Sequence, residues 1–422
     1  MSPPPDSGQD SPNKTPTKAF AMGPGIVMAA TGLGAGDLVA ATVSGAKFGV
    51  VILWVAVLGA VLKLALNEGL ARWQLATQTS LITGWIQHLP TWVHWYFLGY
   101  LVLWSFLVAA AIMAACGIAA HALFPQLSVA AWGILHSLTS AVLVGFFNYQ
   151  YFERLMKLLI ALMFVVVLYA AFKLLPPLGL LFSSLLIPTI PENSIQYLLG
   201  VIGGVGGSVT LLCYGYWISE KNWLGADYVK VVRTDLSIAY ALTGLFAVAI
   251  IIIAARLHPD MVKGPAIVVA MADEVGRAIG TFGRWCFLLG FWGAVFSSML
   301  GVWQGVPYLF EDLMQHKKPL NLNAKANTQP FKSRSRYYGL FLLFLTLPPA
   351  SMLLLGKPVW LIIVYSVAGA FFMPFLAVTL LYMTNNKQWM GDLKSGGLSN
   401  IFLGISLILF ILLLAKKFIG YF

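Results

Sequence analysis

Charged side chains are scarce in this 422-residue sequence: Asp, Glu, Lys and Arg make up only 10% of it, whereas soluble domains carry about 25%. Cysteine is also scarce, and Cys116, Cys213 and Cys286 fall in apolar stretches without paired spacing. The spacing therefore suggests neither a disulfide framework nor a cysteine zinc site. The sequence lacks a P-loop, a Ser-His-Asp arrangement and an HExxH motif. We therefore expect neither an enzyme nor a bound cofactor.

Apolar residues are abundant, at 59% of the chain, and they recur in runs of the roughly 20 residues that a transmembrane helix needs. The sequence predicts an all-α membrane protein whose immediate partner is the lipid bilayer. We place about eleven spans at 21–46, 48–71, 92–121, 129–150, 154–175, 197–218, 233–256, 280–308, 337–355, 358–383 and 398–418. The net charge of +11 is better explained by basic loops that set the topology than by nucleic-acid binding.

The N-terminal segment differs from the rest in composition. Residues 1–19 are rich in proline, serine and polar groups, which predicts a disordered cytoplasmic tail ahead of a transmembrane domain at 20–422. Most lysine and arginine residues fall in the loops that face the cytoplasm if the N-terminus is inside. The distribution therefore predicts a multi-pass protein of the cell membrane with a cytoplasmic N-terminus. The oligomeric state is not indicated.

Glycine interrupts two spans that lie five spans apart. The first span contains Gly32, Gly34 and Gly36 directly before Asp37, and the sixth contains the stretch GVIGGVGGSVTLLCYGYW at 200–217. Gly-interrupted segments in corresponding halves are typical of inverted-repeat transporters, whose substrate lies at the breaks. The alternative is close helix packing through small residues.

Several stretches resemble the NRAMP family of divalent metal transporters. These are GPGIVMAATGLGAGD at 23–37, VVRTD at 231–235, FSSMLG at 296–301 with Glu311, and MPFLAVTLLYMTNNK at 373–387. The resemblance implies a LeuT-like fold, with a 5+5 inverted repeat and unwound helices 1 and 6. It also implies a secondary transporter that works by alternating access.

The departures from that family fall on the positions that the resemblance assigns to function. The family's DPGN motif aligns with residues 34–37, so its metal-binding aspartate is Gly34 and its asparagine is Asp37. Its Met-Pro-His motif aligns with Thr210 and the two leucines that follow. A further histidine, linked to proton movement, aligns with Trp217, and the third span contains no Asp or Glu. The resemblance thus implies a divergent member without strict proton coupling.

Candidate substrate-binding residues follow from the two breaks: Gly34, Asp37, Thr210, Cys213 and Tyr214. Asp37 is the candidate metal ligand, because an intramembrane carboxylate is a functional hypothesis by default. It could instead cap the second half of the first span. Hydroxyl and carbonyl oxygens suit hard cations, whereas Cys213 could be a soft ligand or a packing residue.

The second span carries charges at helical spacing. Glu68 and Arg72 are four residues apart and predict a gating or structural ion pair. Lys63 lies deeper, where it could snorkel or compensate Asp37. If Lys63 reaches the central cavity, it would disfavour a divalent cation and favour a zwitterionic or anionic solute.

Taken together, the sequence predicts an NRAMP-related carrier of a hard divalent cation such as Mg²⁺ or Mn²⁺. A carrier of a small organic solute and a membrane sensor that does not transport stay open as alternatives.

Overall fold

The computed structural model describes residues 23–34, 36–146, 149–257, 266–315 and 335–419. Helices and short connections account for all of this described part, which contains no strand. The predicted tail, residues 1–19, and the side chain of Asp37 lie outside the described residues.

Nine helical segments among the described residues are long and apolar enough to cross a membrane, or ten if the bent pair Lys387–Leu393 and Gly397–Leu412 is one span. The sequence predicts about eleven. The count differs because the first predicted span is interrupted after Gly32, which leaves a first half of nine residues. Its second half runs on with the second predicted span as one segment, Leu38–Thr77.

Two sets of helices correspond to the two predicted halves. The first comprises α1 (Pro24–Gly32), α2 (Ala41–Phe48), α3 (Leu53–Thr77), α4 (Leu81–His88), α5 (Thr91–Leu123), α6 (Val129–Phe146) and α7 (Tyr149–Lys173). After α8 (Leu178–Leu186), the second comprises α9 (Ile195–Gly204), α10 (Cys213–Glu220), α11 (Val229–Ala254), α12 (Ala266–Gln315), α13 (Arg336–Thr346), α14 (Pro358–Ala370) and α15 (Phe372–Thr384). The chain continues with α16 (Lys387–Met390) and α17 (Gly397–Ile419).

Helix α12 is two helices joined at a kink. Gly280 adopts φ +85° and ψ 175°. Glycine takes up this backbone conformation without strain, whereas a residue with a side chain would be strained in it. The segment before Gly280 carries Glu274 and Arg277, which form an ion pair of 2.7 Å. The segment after it packs against α5, α7 and α1 and forms the eighth span.

The first break lies between α1 and α2. Helix α1 ends at Gly32, and the chain resumes as a π-helical turn, Gly36–Ala40, that leads directly into α2. Asp37 is thus the second residue of this turn rather than a residue that precedes a helix. Every described residue of α1 except Ile26 is buried.

The sixth span is broken at its centre. Helix α9 ends at Gly204, a 3₁₀ turn covers Val209–Leu212, and α10 follows. Between them Gly206 and Gly207 have φ values of +69° and +85°. Every residue in the most apolar part of this span is buried, and irregular backbone at membrane depth is tolerated only when protein or a cavity surrounds it.

Replacing Gly206 with alanine should destabilise the protein. The left-handed backbone costs a non-glycine residue about 1–2 kcal/mol, and a Cβ there would lie 2.6 Å from Cε1 of Tyr240. We expect a lower melting temperature for purified Gly206→Ala. Gly404→Ala is the control, since its Cβ meets nothing within 4 Å. Equal melting of both variants would contradict this account of the break.

Candidate functional site

The two breaks meet each other at the centre of the described helices. A Cβ built on Gly32 would lie 2.7 Å from the carbonyl carbon of Gly206 and 2.8 Å from its Cα. The end of α1 therefore touches the irregular segment after α9 backbone to backbone. Only glycine permits an approach this close.

The carbonyls at the end of α1 are satisfied by α12. A helix leaves its last carbonyls without partners inside the helix. Ser297 Oγ donates to the Ala30 carbonyl at 3.2 Å, and Ser298 Oγ donates to the Thr31 carbonyl at 2.7 Å. The two serines thus provide hydrogen-bond donors to the backbone carbonyls at the first break.

Ser298 also occupies the space beside Gly34. A Cβ at Gly34 would overlap the Ser298 side chain. The position that the resemblance aligns with the family's metal-binding aspartate is therefore filled from α12. As a predicted substrate-binding residue, Gly34 can contribute only backbone groups in this packing.

The carbonyls of the sixth break bind the ammonium of Lys63. Its Nζ donates to the Gly203 carbonyl at 2.9 Å and also to the Gly207 carbonyl. The Lys63 side chain is completely buried, so it does not snorkel. One turn along α3, Asn67 Nδ2 donates to Tyr240 Oη at 3.0 Å. The sequence indicated that Lys63 lies deep but could not indicate these partners.

Two hydroxyls of the sixth break have no hydrogen-bond partner among the described residues. Thr210 and Ser208 are both buried. Thr210 Oγ1 lies beside Gly207, where a Cβ would also be 3.0 Å from the terminal methyl of Met28. Ser208 Oγ faces Gly369, as does the equally unpartnered Nε1 of Trp104. Composition alone gave no signal for Trp104.

Tyr214 and Cys213 have other neighbours. The Tyr214 hydroxyl donates to Asp235 Oδ2 at 2.9 Å, and Cys213 Sγ lies 2.8 Å from a Cβ built on Gly305 of α12. Tyr214 therefore serves an internal hydrogen bond in this structure, and Cys213 packs against a glycine. Both were predicted to bind substrate, and that role stays a prediction.

Asp235 holds the start of α1. Its carboxylate accepts hydrogen bonds from the backbone N–H of Gly25 at 2.6 Å and of Gly23 at 3.4 Å, in addition to Tyr214. A carboxylate at the first turn of a helix also meets the positive end of its dipole. The sequence contained the residue in VVRTD, but its backbone partners, Gly23 and Gly25, are more than 200 positions away.

Glu68 and Arg72 form the expected pair, 3.2 Å apart. Arg233 of α11 joins Glu68 at 2.8 Å, and Arg72 continues to Ser399 of α17 at 2.9 Å. The charges thus connect three helices. The predicted role of Glu68 and Arg72, as a gate or as a purely structural ion pair, stays a prediction.

Trp217 is fully buried, and its indole Nε1 donates to Gln304 Oε1 at 2.7 Å. This is a structural hydrogen bond between α10 and α12. Within the described residues, no group of three or more His, Cys, Asp or Glu side chains could hold a metal ion. A cation at the breaks would therefore depend on hydroxyl and carbonyl oxygens and on Asp37.

Comparisons with known proteins agree with this architecture. The sequence matches the Nramp family, described as natural resistance-associated macrophage protein-like, over residues 25–420. A mutant manganese transporter from Eremococcus coleocola has a TM-score of 0.71 at 17% identity, with 93% of this chain and 84% of that chain covered. The same transporter in complex with an aromatic bis-isothiourea compound gives equal values. No curated protein matches this sequence.

MhsT in complex with L-phenylalanine has a TM-score of 0.60 at 16% identity, with 96% of this chain and 99% of that chain covered. At such identities the likeness concerns the fold alone. The fold is LeuT-like, with two corresponding halves and interrupted helices at the first and sixth spans.

The overlap at Gly34 predicts a coupled pair of substitutions. Gly34→Ala should destabilise the protein by about 1–3 kcal/mol, as overpacking does. In a Ser298→Gly background the same change should cost much less, because the overlapping side chain is gone. A double-mutant cycle on melting of the purified protein measures this coupling. Strictly additive effects would contradict the packing.

Removing the charge of Asp235 should loosen the start of α1. Asparagine offers only one acceptor oxygen, and its amide donors would face backbone N–H groups. In a background of Cys116→Ala and Cys286→Ala, we expect Asp235→Asn to speed maleimide labelling of buried Cys213 several-fold. Asp227→Asn, an exposed carboxylate, is the control. Unchanged labelling of Cys213 would show that the Asp235 hydrogen bonds do not hold the start of α1 in place.

Proposed function

We propose a transport function for this chain, which belongs to the Nramp family because its sequence matches that family from residue 25 to residue 420. The members of this family are transporters rather than enzymes. The chain moves a hard divalent cation such as Mg²⁺ or Mn²⁺ across the membrane by alternating access. The observation that carries the proposal is the contact between two broken helices around the buried hydroxyls of Thr210 and Ser208.

The ligand chemistry favours a hard ion. The soft methionine position of the family is Thr210, and the described groups without partners at the break are hydroxyls. Mg²⁺ and Mn²⁺ prefer oxygen ligands. Asp37 supplies the negative charge in this proposal, and the manganese transporter from Eremococcus coleocola supports a divalent substrate by analogy of fold.

Strict proton coupling is not part of the proposal. Trp217 stands at the position of the family's proton-linked histidine. The third span contains no Asp or Glu that could relay a proton. Trp217 donates to Gln304, and an indole has no proton to exchange at ordinary pH. We therefore expect cation flux without matched acidification of the interior.

A small organic solute with an anionic group is the second candidate. The Lys63 ammonium at the sixth break favours it, as does the unpartnered indole N–H of Trp104, because both are donors only. MhsT, of similar fold, is known in complex with L-phenylalanine. The first candidate is preferred because two carbonyls offset the charge of Lys63, one at the negative end of α9 and one in the segment that follows it.

Location and orientation belong to the same proposal. The protein is a multi-pass membrane protein, and we assign it to the cell membrane with a cytoplasmic N-terminus. The basic segment 316–335, almost all of it outside the described residues, would then be cytoplasmic.

Transport in proteoliposomes tests the function directly. Vesicles with a metal-sensitive dye and a pH-sensitive dye should report Mg²⁺ or Mn²⁺ entry without matched acidification. Asp37→Asn should lower metal affinity by about tenfold or more, since a ligand charge is lost while the size and shape of the side chain are kept. Exposed Asp227→Asn is the control.

The other outcomes are equally specific. Flux of a carboxylated solute without metal flux would replace the first candidate with the second. Binding without any flux would indicate a sensor. Metal flux with matched acidification would contradict the absence of strict coupling.

A further inference from the structure

The ammonium of Lys63 lies where a free cation could otherwise bind. It contacts the carbonyls of Gly203 and Gly207, one at the end of α9 and one in the irregular segment that follows. The positive φ of Gly207 belongs to the bend that brings these two carbonyls to one point. Neither carbonyl accepts a hydrogen bond from a backbone N–H of α9, because a helix leaves its last carbonyls without partners inside the helix.

Such a position is attractive to cations for physical reasons. The C-terminal end of a helix carries a partial negative charge, and unwound carbonyls at half-helix ends coordinate Na⁺ or H⁺ in transporters with paired breaks. Lysine ends in a compact, fully charged group with three donors. Its four-carbon stem lies inside the protein, because the whole side chain is buried.

We propose that the sixth-span break is a monovalent cation site and that Lys63 fills it permanently with its own ammonium. The protein carries a tethered cation in place of a free Na⁺ or K⁺, so the break keeps its shape without a dissociable ion. This inference does not depend on the transported substrate, because it concerns carbonyls that Lys63 already occupies.

A simple hydrogen-bond cap is the competing explanation, and the two differ in what can replace the ammonium. A cap needs only a donor, whereas a cation site needs charge. Lys63→Ala removes the charge and opens a space in which a small cation can reach the two carbonyls. Lys63→Gln instead supplies a neutral donor at about the same depth.

Melting of the purified protein in different chloride salts makes this difference measurable. In N-methyl-D-glucamine chloride, Lys63→Ala should melt several degrees below the wild type. Ammonium, methylammonium, Na⁺ or K⁺ at equal ionic strength should restore at least half of that loss, with a rise that follows the logarithm of cation concentration. The wild type should not respond.

Leu66→Ala is the matched control, because Leu66 is also fully buried on α3 and its truncation leaves a void without removing a charge. It should be destabilised but not restored by any cation. No response of Lys63→Ala to all four cations, or an equal response of Leu66→Ala, would overturn the proposal.

Lys63→Gln decides the matter if Lys63→Ala does not fold. The proposal expects Lys63→Gln to melt well below the wild type in N-methyl-D-glucamine chloride. Wild-type melting of Lys63→Gln in that salt would show that a neutral donor suffices, and would reduce Lys63 to a cap. Because these readouts involve no transport, failure here leaves the proposed transport function standing, and the reverse holds as well.

Discussion

Free backbone carbonyls at the two helix breaks impose the constraint on which the rest of this structure depends. Backbone groups left unpaired inside a bilayer cost several kcal/mol each, so each break needs donors from elsewhere in the protein. Ser297 and Ser298 serve the first break, and Lys63 serves the sixth. The packing of α12 on α1 and of α3 on α9 brings these donors to the carbonyls.

The same donors leave no room for a side chain at residue 34. Ser298 needs room to reach the Thr31 carbonyl, and that room is the volume that a side chain at residue 34 would occupy. An aspartate there and this serine rotamer cannot coexist. In the proposed function, a substrate cation would therefore depend on Asp37 and on the oxygens of the sixth break.

Sequence patterns identified the architecture because hydropathy and glycine placement are local properties. They located both breaks, the depth of Lys63 and the pairing of Glu68 with Arg72, which are one helical turn apart. They could not assign the backbone partners of Lys63, Asp235 or Ser298, since these lie 140 or more positions away. Helical spacing indicates on which face of its helix a residue lies. It does not indicate which other helix packs against that face. For the same reason, the sequence could not indicate that Trp217 is buried and donates to Gln304 of α12.

Polar contacts also tie the start of α1 and the sixth span to the surrounding helices. Asp235 joins α11 to the first turn of α1 and, through Tyr214, to α10. Glu68 joins α3 to α11, and Arg72 extends that connection to α17. The Arg233 side chain is largely exposed, whereas Asp235 is buried, so removing the partners of Asp235 would leave a buried charge unpaired.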